Sequence, residues 1–332
     1  MRFERIIGIS VLSLLVCRGP AMPQTVTVQK RLDGQATIYR LSNDKLEVSL
    51  WFENGQLRLE RVAALEDWLK QYGSRRLAVE LDGGFEIDVQ WTGWRMPGKA
   101  HNADNPLRIT QSAFELTGDR IEQEGGARRL ILEGRLLNGA FEVRLVSRLA
   151  PGDFFVLRKI AVRDPKARRH FLRWLWPRSG FLFGRMTILK SGGFGNPLAI
   201  ATDDGGAFFG LEFPAGTNRL KAKAEHRTRI RCGQEFGVLI DNTWIESEWA
   251  VTGLTPNRNV RLWFYRYLDD IRVAPLRPFL LYNTWYGVRS PEYTQRPEDV
   301  MNEAHLLRII RDFRREMLEE RGLRLDAFVL DA

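Results

Sequence analysis

From residue 25 to about residue 275 the chain alternates apolar and polar positions with a period of two. The runs 25–30, 36–41, 46–52, 77–81, 85–91, 130–136 and 141–149 are short and bounded by Gly, Asn or Asp, which is the pattern of half-buried strands. Residues 154–163, 207–213, 228–230 and 260–267 continue the series. So many short strands predict two packed antiparallel sheets, a large β-sandwich. Residues 61–71 fit either a helix or a strand followed by a turn. Pro275 and Pro278 then punctuate a junction.

Beyond the junction the period changes. Residues 279–282 and 327–330 are nearly continuously apolar, as strands of a parallel sheet covered on both faces should be. Between them Val300, Ala304, Leu307, Ile310, Phe313 and Met317 recur at steps of three and four, one stripe of an amphipathic helix. Pro297 suits its first position, Glu298 and Asp299 its first turn, and Gly322 the residue past its end. The three elements predict a βαβ unit. If it opens a (β/α)₈ barrel, the residues at its strand ends face the active side: Asn283, Thr284, Trp285 and Tyr286, then Asp331. A Rossmann-type unit is the alternative, but the loop 287–296 is long and lacks a Gly-x-Gly-x-x-Gly cradle.

Composition changes this picture little. With 332 residues, 44% hydrophobic and 27% charged, the chain can bury a core and should hold two domains. The net charge is +9, yet the 41 Arg and 9 Lys are scattered in pairs such as Arg75-Arg76 and Arg128-Arg129. Scatter without a binding motif argues against a nucleic-acid partner. Residues 1–5 are basic, 6–16 apolar, and Gly19-Pro20-Ala21 small, so residues 1–21 read as an export signal and the protein as secreted or periplasmic. That run is too short for a stable membrane span. Lipoprotein anchoring through Cys17 is the alternative, weakened by Val16 and Arg18 beside it.

After cleavage Cys232 stands alone, most simply a small core residue. His101, His170, His226 and His305 are far apart without carboxylates or thiolates at ligand spacing, so no metal site is expected. Gly93 to Lys99 imitates a phosphate loop but carries Pro97, lacks the following Ser or Thr, and leads into no helix. Of Trp91, Trp94, Trp174, Trp176, Trp244 and Trp249, at least four are expected in the core. Trp174 and Trp176 alternate, so their indoles share a face and can stack.

The sequence Leu281-Tyr282-Asn283-Thr284-Trp285-Tyr286, followed one helix later by Phe328-Val329-Leu330-Asp331, resembles the opening of the barrel in α-galactosidase-like glycoside hydrolases of family 36, the group of microbial α-galactosidases and raffinose synthases. There an Asn-[Ser/Thr]-Trp motif ends the first strand and an Asp-Asp-Gly-Trp motif the second. Of the second motif only Asp331 is present, with Ala332 where the next Asp would stand. Further likeness lies in Gly195-Asn196-Pro197-Leu198, Asp203-Asp204, Phe208 to Gly216 and Tyr267 to Arg272, which resemble segments of the β-domain preceding such barrels.

The resemblance implies a β-supersandwich at residues 22–275 and the start of a truncated TIM barrel at 276–332. It implies retaining hydrolysis of an α-linked galactoside or related α-glycoside, with no cofactor, by two carboxylates roughly 5 Å apart. Both belong to later barrel strands, so no catalytic residue is expected in these residues. What remains is substrate binding: Asp331 matches an acid that accepts sugar hydroxyls, Trp285 an aromatic that packs beside the sugar, and Asn283 and Tyr286 share their strand end. The plain alternatives are a loop-capping carboxylate for Asp331 and a barrel-floor aromatic for Trp285. A non-catalytic carbohydrate-binding sandwich and a raffinose-synthase-like transferase are the competing functions.

Overall fold

The computed structural model describes residues 25–90, 107–168, 170–224, 226–284, 296 and 300–331. The export signal expected at 1–21, the phosphate-loop lookalike, Trp91, Trp94, Trp285 and Tyr286 lie outside these. Two compact units emerge, Met1–Asp270 and Ile271–Ala332.

In the first unit, β1 (Thr27–Asp33), β2 (Ala36–Ser42), β3 (Leu46–Glu53), β4 (Gln56–Ala64) and β5 (Ala78–Gln90) form an antiparallel run. The short helix α1 (Glu66–Lys70) sits between β4 and β5, so the undecided stretch 61–71 is strand and then helix. β5 is one strand where the pattern predicted two, because its pairing continues through Asp82, Gly83 and Gly84, with Gly83 at φ +135°. β6 (Leu107–Thr110) follows, and then the ladder β7 (Phe114–Glu124), β8 (Ala127–Leu136), β9 (Phe141–Leu149) and β10 (Phe155–Arg163). The remaining strands are β11 (Phe171–Phe183), β12 (Thr187–Phe194), β13 (Leu198–Thr202), β14 (Gly205–Leu211), β15 (Thr217–Ala224), β16 (Arg227–Leu239), β17 (Ile245–Glu246) and β18 (Ala250–Thr255).

Two sheets result. One runs β1-β2-β3-β4-β5-β11-β16-β15, the other β7-β8-β9-β10-β18-β14-β13. β12 joins them: Thr187–Ser191 pairs with β13, and Gly192–Phe194 pairs with β15. Gly192 makes this crossing possible. Its φ is +88°, and a Cβ there would lie 2.2 Å from the Asn218 carbonyl oxygen.

Phe141, Val143, Leu145, Ser147 and Leu149 of β9 are buried on one face while the residues alternating with them are half-exposed. Phe52 and Phe85 of one sheet meet Phe114 of the other at 6.1 and 5.9 Å. Among these apolar side chains lies a buried ionic triad. Arg158 and Arg178 each place Nη1 2.5 Å from Glu60 Oε2, and Arg158 Nη2 donates to Ser147 Oγ at 3.1 Å.

The expected strand at 260–267 is instead the helix α2 (Val260–Ile271). Val260, Trp263 and Tyr267 fall at i, i+3 and i+7 and are buried on one face, and the Asn259 side chain accepts the Leu262 N–H at 3.2 Å to cap the first turn.

The second unit is a βαβ. β19 (Leu281–Asn283) pairs in parallel with β20 (Ala327–Val329), and between them runs α3 (Glu303–Phe313), continued by a π-helical stretch to Glu319. The helix begins at Glu303, and Pro297, Glu298 and Asp299, expected in its first turn, lie outside the described residues. Residue Asn302 is extended and its side chain caps the His305 N–H, which ends the non-helical approach. Gly322 has φ +64° and its N–H reaches the Leu318 carbonyl, as a helix-ending glycine should. Phe313 seats the helix on the strands, 4.8 Å from Tyr282 and 5.6 Å from Phe328.

Candidate functional site

Asn283 is the last residue of β19, and Asp331 lies two residues beyond β20. Because the strands are parallel and in register, both side chains arrive at the same end of the pair. Asn283 Nδ2 donates to Asp331 Oδ2 at 3.1 Å. Thr284, fully buried, holds the backbone of Asp331 from both sides: its Oγ1 accepts the Asp331 N–H at 2.8 Å and donates to the Asp331 carbonyl at 3.0 Å. Asp331 itself is exposed. The arrangement presents a carboxylate to solvent from a fixed backbone, with one oxygen oriented by an amide. Such a group can accept hydroxyl hydrogen bonds.

The opposite end of the pair differs. Asp326 accepts the Leu280 N–H at 3.0 Å through Oδ2 and pairs with Arg277 through Oδ1 at 2.6 Å. These contacts hold its carboxyl below the usual range, the backbone bond first and Arg277 second. Asp326 is therefore a structural cap.

The β-domain segments that carry the sequence resemblance have packing roles. The Gly195 N–H reaches the Gly216 carbonyl at 2.7 Å, and Asn218 Nδ2 donates to the Asn196 carbonyl at 2.9 Å, tying the β12–β13 and β14–β15 turns together. Asp203-Asp204 is the tight turn between β13 and β14. Tyr267 of α2 donates to Glu212 Oε1 at 2.7 Å; burial pushes the Glu212 carboxyl up, against that bond.

Trp174 and Trp176 stack, with centroids 4.7 Å apart and planes 13° from parallel. A polar cluster occupies them: Trp176 donates to Asp88 Oδ2 at 3.1 Å, and Arg231 covers its ring at 3.8 Å. The expectation that most tryptophans are core is corrected. Of the six named, four are described: Trp176 is buried, while Trp174, Trp244 and Trp249 are half-exposed. Cations of β9 and β10 cover the last two, with Arg144 4.0 Å from Trp244 and Lys159 4.5 Å from Trp249.

Cys232 is buried, and burial pushes its thiol up to about 12. Among the described residues no cluster of His, Cys, Asp or Glu could hold a metal ion, and no helix is long and apolar enough to cross a membrane. The basic residues are less scattered in space than in sequence: β15 and β16 set Arg219 opposite Arg231 and Lys221 opposite Arg229 on one sheet face.

No family model matches the sequence, and no curated protein matches it. Solved structures of similar backbone include a GH36 α-galactosidase from Geobacillus stearothermophilus in complex with 1-deoxygalactonojirimycin, at 14% identity over 92% of this chain and 50% of that one, with a TM-score of 0.43. The α-galactosidase from Lactobacillus brevis matches at 12% identity over 91% of this chain and 49% of that one, with a TM-score of 0.48. An α-N-acetylgalactosaminidase from Bifidobacterium bifidum, in complex with GalNAc, matches at 12% over 89% and 50%, with a TM-score of 0.44. The chain spans about half the length of each of these structures.

Proposed function

We propose that these residues form the β-domain and the opening βαβ of a (β/α)₈ barrel in an exported, retaining α-glycosidase that acts on α-linked galactosides or related α-glycosides. The observation that carries this reading is the meeting of Asn283 and Asp331 at the same end of a parallel strand pair. Barrel enzymes recruit substrate-contacting residues from that end. Thr284 supplies the backbone restraint, so the Asp331 carboxylate is left to accept hydrogen bonds from sugar hydroxyls. Trp285, next in sequence, would supply the apolar surface for the sugar's C–H face. On this reading these residues bind and orient the sugar, and the carboxylates that break the bond come from later barrel strands.

Isothermal titration of the chain with methyl α-galactoside tests it. Saturable binding is expected, weakened roughly tenfold or more by Asp331→Ala and by Trp285→Ala, the effect of losing about 1.4 kcal/mol. Equal affinity in Asp331→Ala and wild type would overturn the assignment.

A further inference from the structure

The first unit holds a cleft of about 370 Å³ where α1 and α2 meet the loop before β10. That volume is at the small end of ligand pockets, which run from about 300 to 1,000 Å³. Helical spacing builds its walls. Trp68 of α1 and Tyr72 just after it are four residues apart and share a side, as do Trp263, Arg266 and Asp270 along α2.

The rings form a rigid base. Trp263 meets Trp68 at 5.7 Å, Tyr72 at 5.4 Å and Phe154 at 5.0 Å, each close to edge-on. Tyr72 is held against this base yet remains 42% exposed. Trp263 is 3% exposed, and its indole N–H has no acceptor among the described residues. Arg266 lies 4.5 Å over the Trp263 ring with no ion pair of its own among the described residues, and Asp270 likewise presents an unpaired carboxylate.

We propose that this cleft binds a neutral saccharide, a monosaccharide or disaccharide in size. Its charges balance, Lys45 and Arg266 against Asp269 and Asp270, which favours neither an anion nor a cation. Its chemistry is mixed in the way a sugar requires: an exposed flat ring for a C–H face, a carboxylate to accept from hydroxyls, and a guanidinium to donate to them. The site shares no residue with the strand-end site of the second unit.

Trp68 and Trp263 make the test direct. The full chain is titrated with raffinose and with maltose while tryptophan fluorescence is followed, in wild type and in an Asp331→Asn background that disables the strand-end site. A saturable change with at least one sugar is expected, equal in both backgrounds. Tyr72→Ala and Asp270→Asn should each weaken it roughly tenfold, and Tyr72→Phe, which keeps the ring, should retain it. Thermal unfolding midpoints, expected unchanged for Asp270→Asn and Tyr72→Phe, separate lost binding from lost fold. No saturable response to either sugar overturns the proposal, as does binding that survives both Tyr72→Ala and Asp270→Asn. A response abolished by Asp331→Asn alone would assign the sugar to the strand ends and also overturn it.

Discussion

Replacing Glu60 by Gln keeps the side-chain volume and removes the carboxylate that Arg158 and Arg178 share at 2.5 Å each inside the sandwich. The charge centres of each pair lie about 4 Å apart, so each attraction is worth about 4 kcal/mol at an effective dielectric of about 20. Losing both costs about 8 kcal/mol. Freedom from dehydrating the carboxylate returns several kcal/mol, which leaves a net loss of about 3–5 kcal/mol, as for other buried pairs broken from one side. Domains have only about 5–15 kcal/mol in total. Equilibrium urea unfolding at neutral pH reads the loss as a shifted midpoint. The triple variant Glu60→Leu, Arg158→Met, Arg178→Met removes every charge and should fall within about 1 kcal/mol of wild type or above it. The acid limb adds a check. Burial pushes the Glu60 carboxyl up, but Arg158 and Arg178 together outweigh it and hold it below the usual carboxylate range. Its stabilisation is therefore present above the unfolded carboxylate's range and lost as pH falls through the lower folded pKa. Glu60→Gln should lack that loss. A cost below about 1 kcal/mol, or a triple variant as damaged as the single one, would refute the reasoning.

Asp153 has the opposite sign. Burial raises its carboxyl to about 6 against the Ala150 N–H bond, so the folded state holds its proton more tightly, and stability should fall by about 3 kcal/mol as pH rises from about 4 to 6. Asp153→Asn should flatten that slope in thermal melts across the window; an unchanged slope would sink the assignment. Lys221→Glu converts a like-charged pair with Arg229 into an opposite one and should stabilise by about 0.2–1 kcal/mol at low salt, with the gain shrinking at high salt. A gain independent of salt would point away from electrostatics. Thr284→Val removes both hydrogen bonds to the Asp331 backbone, and the Asp331 amide should lose its protection from hydrogen exchange; retained protection would mean that something else holds the strand end.

Much of the sandwich was legible because period-two runs such as Phe141–Leu149 face a core on one side. What escaped had physical causes. α2 was misread because Val260, Phe264 and Tyr265 have strand-like propensities, while the spacing of Val260, Trp263 and Tyr267 was the better signal. Arg178 was hidden by a bulge. Straight alternation from Trp174 and Trp176 would put it on their face, but the register shifts between Leu175 and Arg178, at Pro177, turning Arg178 inward and Ser179 outward to Glu86. The meeting of Arg219 with Arg231 across β15 and β16 was not visible as a run, because they stand twelve positions apart, and Glu86 and Asp88 pair Arg231 there. In the second unit the strands and Gly322 could be read directly, whereas the Asn302 cap was overlooked for Pro297. The α1–α2 cleft was invisible because its halves are far apart in sequence.

The two carboxylates flanking β20 show why Asp331 is the better candidate for recognition. Asp326 accepts a backbone N–H and a guanidinium, so both oxygens serve the fold. Asp331 could have capped its loop in the same way. Instead its backbone is held by Thr284, and among the described residues its carboxylate takes only a side-chain amide, from Asn283. A carboxylate released from structural work, kept at the solvent edge and aimed by a neighbour is preorganised for a ligand's hydroxyls. In the segments that resemble the glycosidase β-domain, Gly195 with Gly216 and Glu212 with Tyr267 complete turns and a helix contact. Those pairs serve the fold, and the proposal of sugar binding at the strand ends rests on Asn283 and Asp331.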